Sequence, residues 1–123
     1  LELSKIDLDG VRFEKKEFIP RFLPNKAEYP KYKDKNCKGI EIIIIDRLKA
    51  KPIEIAVNII EVINKLHPNE FKFNSNNFVD LLYGSSKLRE NILSDSTSIN
   101  QLFEQWESDE TRFKKERKQF LIY

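Results

Sequence analysis

Apolar residues cluster along this 123-residue chain in short runs that predict both strands and helices. The clearest strand covers residues 40–46, where four consecutive isoleucines (residues 42–45) stand between Glu41 and Asp46. A short β-branched run without polar positions is typical of a strand that is covered on both faces. We therefore predict a buried central strand over residues 40–46.

Helical spacing of apolar positions dominates the second half of the chain. The four predicted helices span residues 53–66, 78–83, 86–94 and 99–118. Pro52 suits the first turn of the first helix, whose polar residues form one narrow stripe, so that helix is expected to be nearly engulfed. Gly84 is expected to end the second helix. Predicted N-terminal caps are Asn76 or Asn77, Ser85 or Ser86, and Ser98.

Weaker patterns complete the predicted order of elements. Residues 1–8 have the spacing of a helix that ends at the Asp9–Gly10 turn, and residues 11–22 predict an edge or bent strand because Pro20 cannot donate to a sheet. Further short strands are predicted at residues 71–73 and 120–123. Strands first, helices next and a closing strand indicate one α+β domain with a small mixed sheet packed by helices.

Charge is unevenly distributed although the chain is nearly neutral, with a net charge of +2. Residues 12–51 contain 12 Lys or Arg against 6 Asp or Glu, and the excess is greatest in residues 26–38, which we call the basic loop. Such a loop attracts anions, although most surface loops of this kind are only solvated. No nucleic-acid-binding motif accompanies it, so we predict no nucleic-acid partner.

Residues able to carry catalysis are sparse. Cys37 and His67 are single, so neither a disulfide nor a metal site is predicted, and the glycines match no cofactor fingerprint. Spacing singles out no pair of carboxylates of the kind that glycosidases need. No apolar run is long enough to predict a membrane span.

A few polar residues lie where binding groups often occur. Asp46 follows the predicted strand, a position common for functional residues, and its alternative role is to cap the turn or pair with Arg47. Arg89 opens a predicted helix and could hold a carboxylate, the alternative being an ion pair with Glu90 or another nearby acid. Trp106 and the tyrosines could stack on sugars or belong to the core.

Short landmarks also run in order along the whole chain. They are Gly10-Val11-Arg12-Phe13, Phe18-x-Pro20-x-Phe22, Pro30-Lys31-Tyr32-Lys33, Cys37-x-Gly39-Ile40, Asp46-Arg47, Pro52, Leu66-x-Pro68, Phe71, Leu82-x-Gly84-Ser85-x-x-Leu88-Arg89, Trp106, Phe113, Arg117 and Phe120-Leu121-Ile122-Tyr123. In this order they resemble the C-terminal domain of the NamZ (exo-β-N-acetylmuramidase) family.

The resemblance implies that residues 1–123 form the C-terminal domain of a two-domain bacterial enzyme. Its Rossmann-like N-terminal domain, outside this chain, would carry the catalytic acids, so no catalytic residue is predicted here. The implied activity releases terminal N-acetylmuramic acid from the non-reducing end of peptidoglycan fragments. The implied partners are that catalytic domain and N-acetylmuramic acid glycosides, without a cofactor, and the implied location is periplasmic or secreted.

The substrate implied by the resemblance carries a lactyl carboxylate, which basic residues beside a cleft would attract. We therefore predict that the basic loop and its neighbours border the cleft, and that Tyr32, Asp46, Arg47 and Arg89 contact the substrate. The alternative is a non-catalytic interaction module that binds an anionic polymer or a partner protein.

Overall fold

The computed structural model of the protein describes residues 2–6, 8–94 and 99–122, with Ser4 described by its backbone alone. In chain order the strands are β1 (Val11–Phe18) and β2 (Cys37–Ile44), and the helices are α1 (Pro52–Leu66), α2 (Phe78–Tyr83), α3 (Lys87–Leu93) and α4 (Ile99–Arg117). Short 3₁₀ helices occupy Glu2–Lys5 and Lys118–Phe120. This content confirms the predicted α+β class.

The chain divides into two compact units, each described by itself. The hairpin unit is Leu1–Ile55 and contains both strands, while the helical unit is Ala56–Tyr123. The boundary falls within α1. This helix is less engulfed than its pattern predicted, because Ile53, near its start, and Leu66, at its end, are 66% and 55% exposed.

The described sheet is a two-stranded antiparallel hairpin rather than the predicted mixed sheet. Its register runs from Val11 opposite Ile44 to Phe18 opposite Cys37. The predicted buried central strand over residues 40–46 is also wrong. Among the described residues β2 has a single neighbouring strand, and Ile44 and Ile45 are 48% and 64% exposed. A β-branched run favours an extended backbone, but its burial depends on layers that cover both faces.

The helical unit has a contiguous apolar core. Its buried members are Val57, Leu88, Ile92, Ile99 and Leu102. Partly buried side chains that pack against them are Ile60, Phe71, Phe73, Val79, Tyr83, Phe103 and Trp106. The indole Nε1 of Trp106 donates a 2.7 Å hydrogen bond to the Tyr83 hydroxyl, which gives this half-buried ring a polar partner. The interpretation of Trp106 as a core residue is therefore confirmed.

Local signals predicted α2 best. Its bounds, Phe78–Tyr83, match the prediction, and Gly84 ends it at φ +87°. The Asn76 side chain accepts a 3.2 Å hydrogen bond from the Phe78 amide. Ser86, in contrast, begins α3 without a side-chain cap because its own backbone is already helical, at φ −74° and ψ −12°.

Other weak patterns were wrong or lie outside the described residues. Residues 71–73 form no strand, and the Phe71 and Phe73 rings pack edge to face with their centroids 5.0 Å apart. Of the strand predicted over residues 120–123, Phe120 ends a 3₁₀ helix and residues 121–122 form no strand, while residues 2–5 are 3₁₀ rather than α-helical. The predicted cap at Ser98 lies outside the described residues.

Candidate functional site

The turn that joins β2 to α1 is attached to the Asp9–Gly10 turn by backbone hydrogen bonds. The Gly10 carbonyl accepts them from the amides of Ile45 and Asp46, at 2.8 and 3.1 Å. Gly10 has φ +78°, and a Cβ there would lie 2.5 Å from the Asp46 carbonyl oxygen and 2.6 Å from the Ala50 nitrogen. Only glycine fits this position without displacing backbone.

Asp46 organises that turn. Its Oδ1 accepts a 2.9 Å hydrogen bond from the Leu48 amide, and its carbonyl accepts a 3.0 Å bond from the Ala50 amide. The turn-capping role considered for Asp46 is therefore confirmed. Arg47 follows with an exposed side chain, and no ion pair joins it to Asp46 within the described residues.

A pocket of ≈420 Å³ opens beside this turn, within the hairpin unit. Its lining residues combine apolar and charged side chains and are Leu8, Asp9, Leu48, Lys49, Lys51, Glu54 and Ile55. An ion pair of 2.9 Å joins the Lys51 ammonium to the Glu54 carboxylate at one side. The size is within the range of small-molecule sites, and the lining combines an apolar wall with two ammonium groups and two carboxylates.

The basic loop is built from successive turns. Asn25, Tyr32 and Asp34 have φ between 58° and 59°, and the Asp34 amide donates a 2.9 Å hydrogen bond to the Pro20 carbonyl. All its lysines are exposed: Lys26, Lys31, Lys33, Lys35 and Lys38. The Tyr32 ring is 57% exposed, and the Lys31 ammonium lies 5.2 Å from its centroid, a cation–π contact. The loop thus presents positive charge to solvent around one aromatic ring.

Arg89 lies in the helical unit and has a partner of its own. Its Nη2 and Nε donate to the Asp80 carboxylate at 2.8 Å and 3.0–3.1 Å, which joins α3 to α2. The hydrogen bond to Asp80 raises the pKa of the Arg89 guanidinium further above its ordinary value, so it stays charged. The expected alternative of an ion pair is confirmed, although the acid is Asp80 rather than Glu90.

The predicted site residues therefore differ in what they can still bind. Tyr32 and Arg47 are exposed in the hairpin unit, whereas Asp46 and Arg89 are engaged by the turn and by Asp80. None of the four lines the pocket, although Arg47 immediately precedes its Leu48 wall. Lys49 lines the pocket but was not predicted, because its position two residues before Lys51 gives no spacing signal.

Groups suited to catalysis are also sparse in the described structure. Within the described ranges no three His, Cys, Asp or Glu side chains are grouped to hold a metal ion. The Cys37 thiol, at the start of β2, donates a 3.6 Å hydrogen bond to the Lys35 carbonyl oxygen two residues earlier. None of the described helices is both long and apolar enough to cross a membrane.

Comparisons with known proteins agree over the full length of the chain. Residues 1–123 match the family model described as "Exo-beta-N-acetylmuramidase NamZ, C-terminal". A curated relative, the peptidoglycan beta-N-acetylmuramidase NamZ of Bacillus subtilis, is 30% identical over 121 residues, which cover 98% of this chain. The chain spans only 27% of that relative's length.

A solved structure shares the fold. A DUF1343 family protein from Bacteroides fragilis superposes with a TM-score of 0.76 at 23% identity. The match covers 99% of this chain and 31% of that protein. Both relatives are thus between three and four times as long as the segment they share with this chain.

Proposed function

We propose that this chain, which belongs to the NamZ C-terminal domain family, is the accessory domain of a peptidoglycan-degrading exo-β-N-acetylmuramidase. The match of all 123 residues to the family, with a curated relative that is a glycosidase, carries the proposal. The reaction would be release of terminal N-acetylmuramic acid from the non-reducing end of cell-wall fragments, and the catalytic carboxylates would belong to the preceding domain.

We further propose that the hairpin unit borders the substrate cleft. N-acetylmuramic acid combines a sugar ring with a lactyl carboxylate. The pocket beside the Asp46 turn supports this role, since it sets the Lys49 ammonium beside the apolar Leu48 and Ile55. Arg47 and Tyr32 add an exposed guanidinium and an exposed ring in the same unit. Asp46 would then act by shaping the turn, and Arg89 by joining two helices, unless substrate displaces their partners.

Activity of the full-length protein tests the first part. We expect the full-length enzyme to release N-acetylmuramic acid from a chromogenic glycoside and the 123-residue chain alone to release none. The physical reason is that the match covers the C-terminal segment of the family, so the pair of carboxylates that this chemistry requires would lie in the preceding domain. Of the two carboxylates that line the pocket, Asp9 and Glu54, the second is already engaged by Lys51 at 2.9 Å. Turnover by the isolated chain, or an inactive but folded full-length protein, would contradict the proposal.

Substrate discrimination tests the second part. In the full-length enzyme, Arg47→Ala and Lys49→Ala should lower kcat/KM for an N-acetylmuramic glycoside about tenfold, or about 1.4 kcal/mol, and spare an N-acetylglucosamine glycoside. Lys72→Ala, at an exposed lysine of the helical unit, is a charge-matched control. Asp46→Asn keeps a side-chain oxygen for the Leu48 amide while removing the charge, so it separates turn geometry from substrate contact. Equal losses on both sugars would assign these residues to structure alone.

A second candidate rests on the exposed lysines of the basic loop. An accessory module that binds an anionic polymer would show affinity that falls steeply with salt, since surface charges are screened beyond about 10 Å at 0.1 M. Replacing Lys31, Lys33 and Lys35 by alanine should then abolish retention on the polymer while leaving glycoside turnover unchanged. Retention that is unaffected by salt or by the triple substitution argues against this module.

A further inference from the structure

One face of the β1–β2 hairpin is apolar along its first half. Directly opposed residues of an antiparallel pair point to the same face, and the register sets Val11 opposite Ile44 and Phe13 opposite Ile42. These four side chains form what we call the apolar face. Two of them, Ile42 and Ile44, belong to the isoleucine run from which a buried strand was predicted.

The opposite face has a different chemistry. It carries two ion pairs, from Arg12 to Glu14 and from Lys16 to Glu41, each at 2.9 Å. All four of these charged side chains remain about half exposed. Ile43, opposite Arg12, also lies on this face and is half-buried. Over its first half the hairpin is therefore two-sided, with charged pairs and one isoleucine on one face and four apolar side chains on the other.

The chain covers the apolar face only in part. The 3₁₀ helix Glu2–Lys5 contacts β1, and its Leu3 lines a small cavity of ≈140 Å³ together with Val11 and Phe13. Leu3 and Phe13 are 5% and 8% exposed, whereas Ile42 and Ile44, on the same face, are 44% and 48% exposed. The β1 half of the face is covered and the β2 half is open.

The length of the relatives indicates which part of the protein would cover Ile42 and Ile44. This chain spans 27% of the curated relative and 31% of the solved one, and the matching family model describes a C-terminal segment. In such proteins most of the polypeptide precedes the matched residues and would enter through Glu2–Lys5, beside the apolar face. We propose that Ile42 and Ile44 dock against the preceding domain, an inference that rests on the two-domain enzyme proposed above.

The size of the surface favours an attached partner over a second copy. Stable association of separate proteins needs about 800 Å² per partner, far more than two half-exposed isoleucines supply. A domain joined through a short connection is present at an effective concentration in the millimolar range, so a small apolar contact suffices. The location beside the chain's first residues meets that condition.

Thiol accessibility in the full-length protein tests the docking. Ile42→Cys and Glu41→Cys are adjacent on β2, similarly exposed in this chain, and on opposite faces, so each controls for the other. Cys37 and any cysteine of the preceding domain are first replaced by serine. Labelling rates with a small thiol reagent are divided by the rate of the same variant in urea, which removes differences in intrinsic thiol reactivity.

We expect Ile42→Cys to react at least tenfold more slowly than Glu41→Cys, and Ile44→Cys to behave like Ile42→Cys. Rates for the two faces within about twofold of each other would overturn the docking, as would protection that disappears on dilution, which points to a second copy. Labelling is independent of turnover. A protected Ile42→Cys in a protein without muramidase activity would therefore refute the proposed function and leave the docking standing.

Discussion

The two units of this chain use similar apolar sequence in different ways. The helical unit buries Val57, Ile92 and Leu102 to 5% exposure or less, and ring-bearing side chains surround them. The hairpin unit contains a denser apolar run, yet Ile44 and Ile45 are about half exposed or more. The difference arises because four amphipathic segments can cover one another, whereas a two-stranded sheet has no second layer of its own.

The largest expected effect comes from emptying the helical core. Leu102→Ala, at a side chain 3% exposed, should lower the free energy of unfolding by about 2–5 kcal/mol through lost burial and a cavity. Ile45→Ala, at a side chain 64% exposed, should change it by no more than about 0.5 kcal/mol. Urea unfolding of the 123-residue chain, followed by Trp106 fluorescence and circular dichroism, measures both. Equal losses of unfolding free energy in the two variants would contradict the stated difference between the units.

That contrast also indicates what the sequence could reveal. The helices were predictable because their signals are local: Pro52 at a first turn and Gly84 at an end are chosen by backbone geometry. Burial of the isoleucine run was not predictable, because it depends on whether a distant layer covers β2. The pocket was not predictable for a similar reason. Lys49 lines it together with Leu8 and Asp9, which are far from it in the sequence.

Single residues of the site show the same division. An ion pair was the expected alternative to substrate binding at Arg89. Its acidic partner could not be identified from the sequence, because Asp80 is nine residues away across the Gly84 turn. The turn-capping role of Asp46 was foreseeable, since the carboxylate reaches an amide only two residues later. Local contacts can be inferred from residue type, whereas contacts between elements require the fold.

A smaller effect should distinguish two glycines, one in each unit. Gly10→Ala should destabilise the chain by about 2–4 kcal/mol, since a left-handed backbone and a collision with backbone atoms act together. Gly84→Ala has the strained φ of +87° but no atom within 4 Å of the added Cβ, so about 1 kcal/mol is expected. Thermal unfolding of both variants measures the difference. A Gly84→Ala loss as large as that of Gly10→Ala would show that the collision is relieved.

The smallest expected effect concerns the ion pair between Arg89 and Asp80. A double-mutant cycle with Arg89→Ala and Asp80→Ala should give a small favourable coupling, modest because both side chains remain about one-fifth exposed. Arg112 with Asp109, exposed at 69% and 47%, is the matched control and should give less. Coupling at Arg89 no greater than at Arg112 would mean that partial burial adds nothing to this contact.

The attachment of Gly10 to the β2–α1 turn has a mechanical consequence. The Gly10 carbonyl holds Ile45 and Asp46 at 2.8 and 3.1 Å, and a displacement of about 1 Å would take either contact beyond hydrogen-bonding distance. A shift of the Asp9–Gly10 turn would therefore be transmitted, through this carbonyl group, to the pocket wall at Leu48 and Lys49.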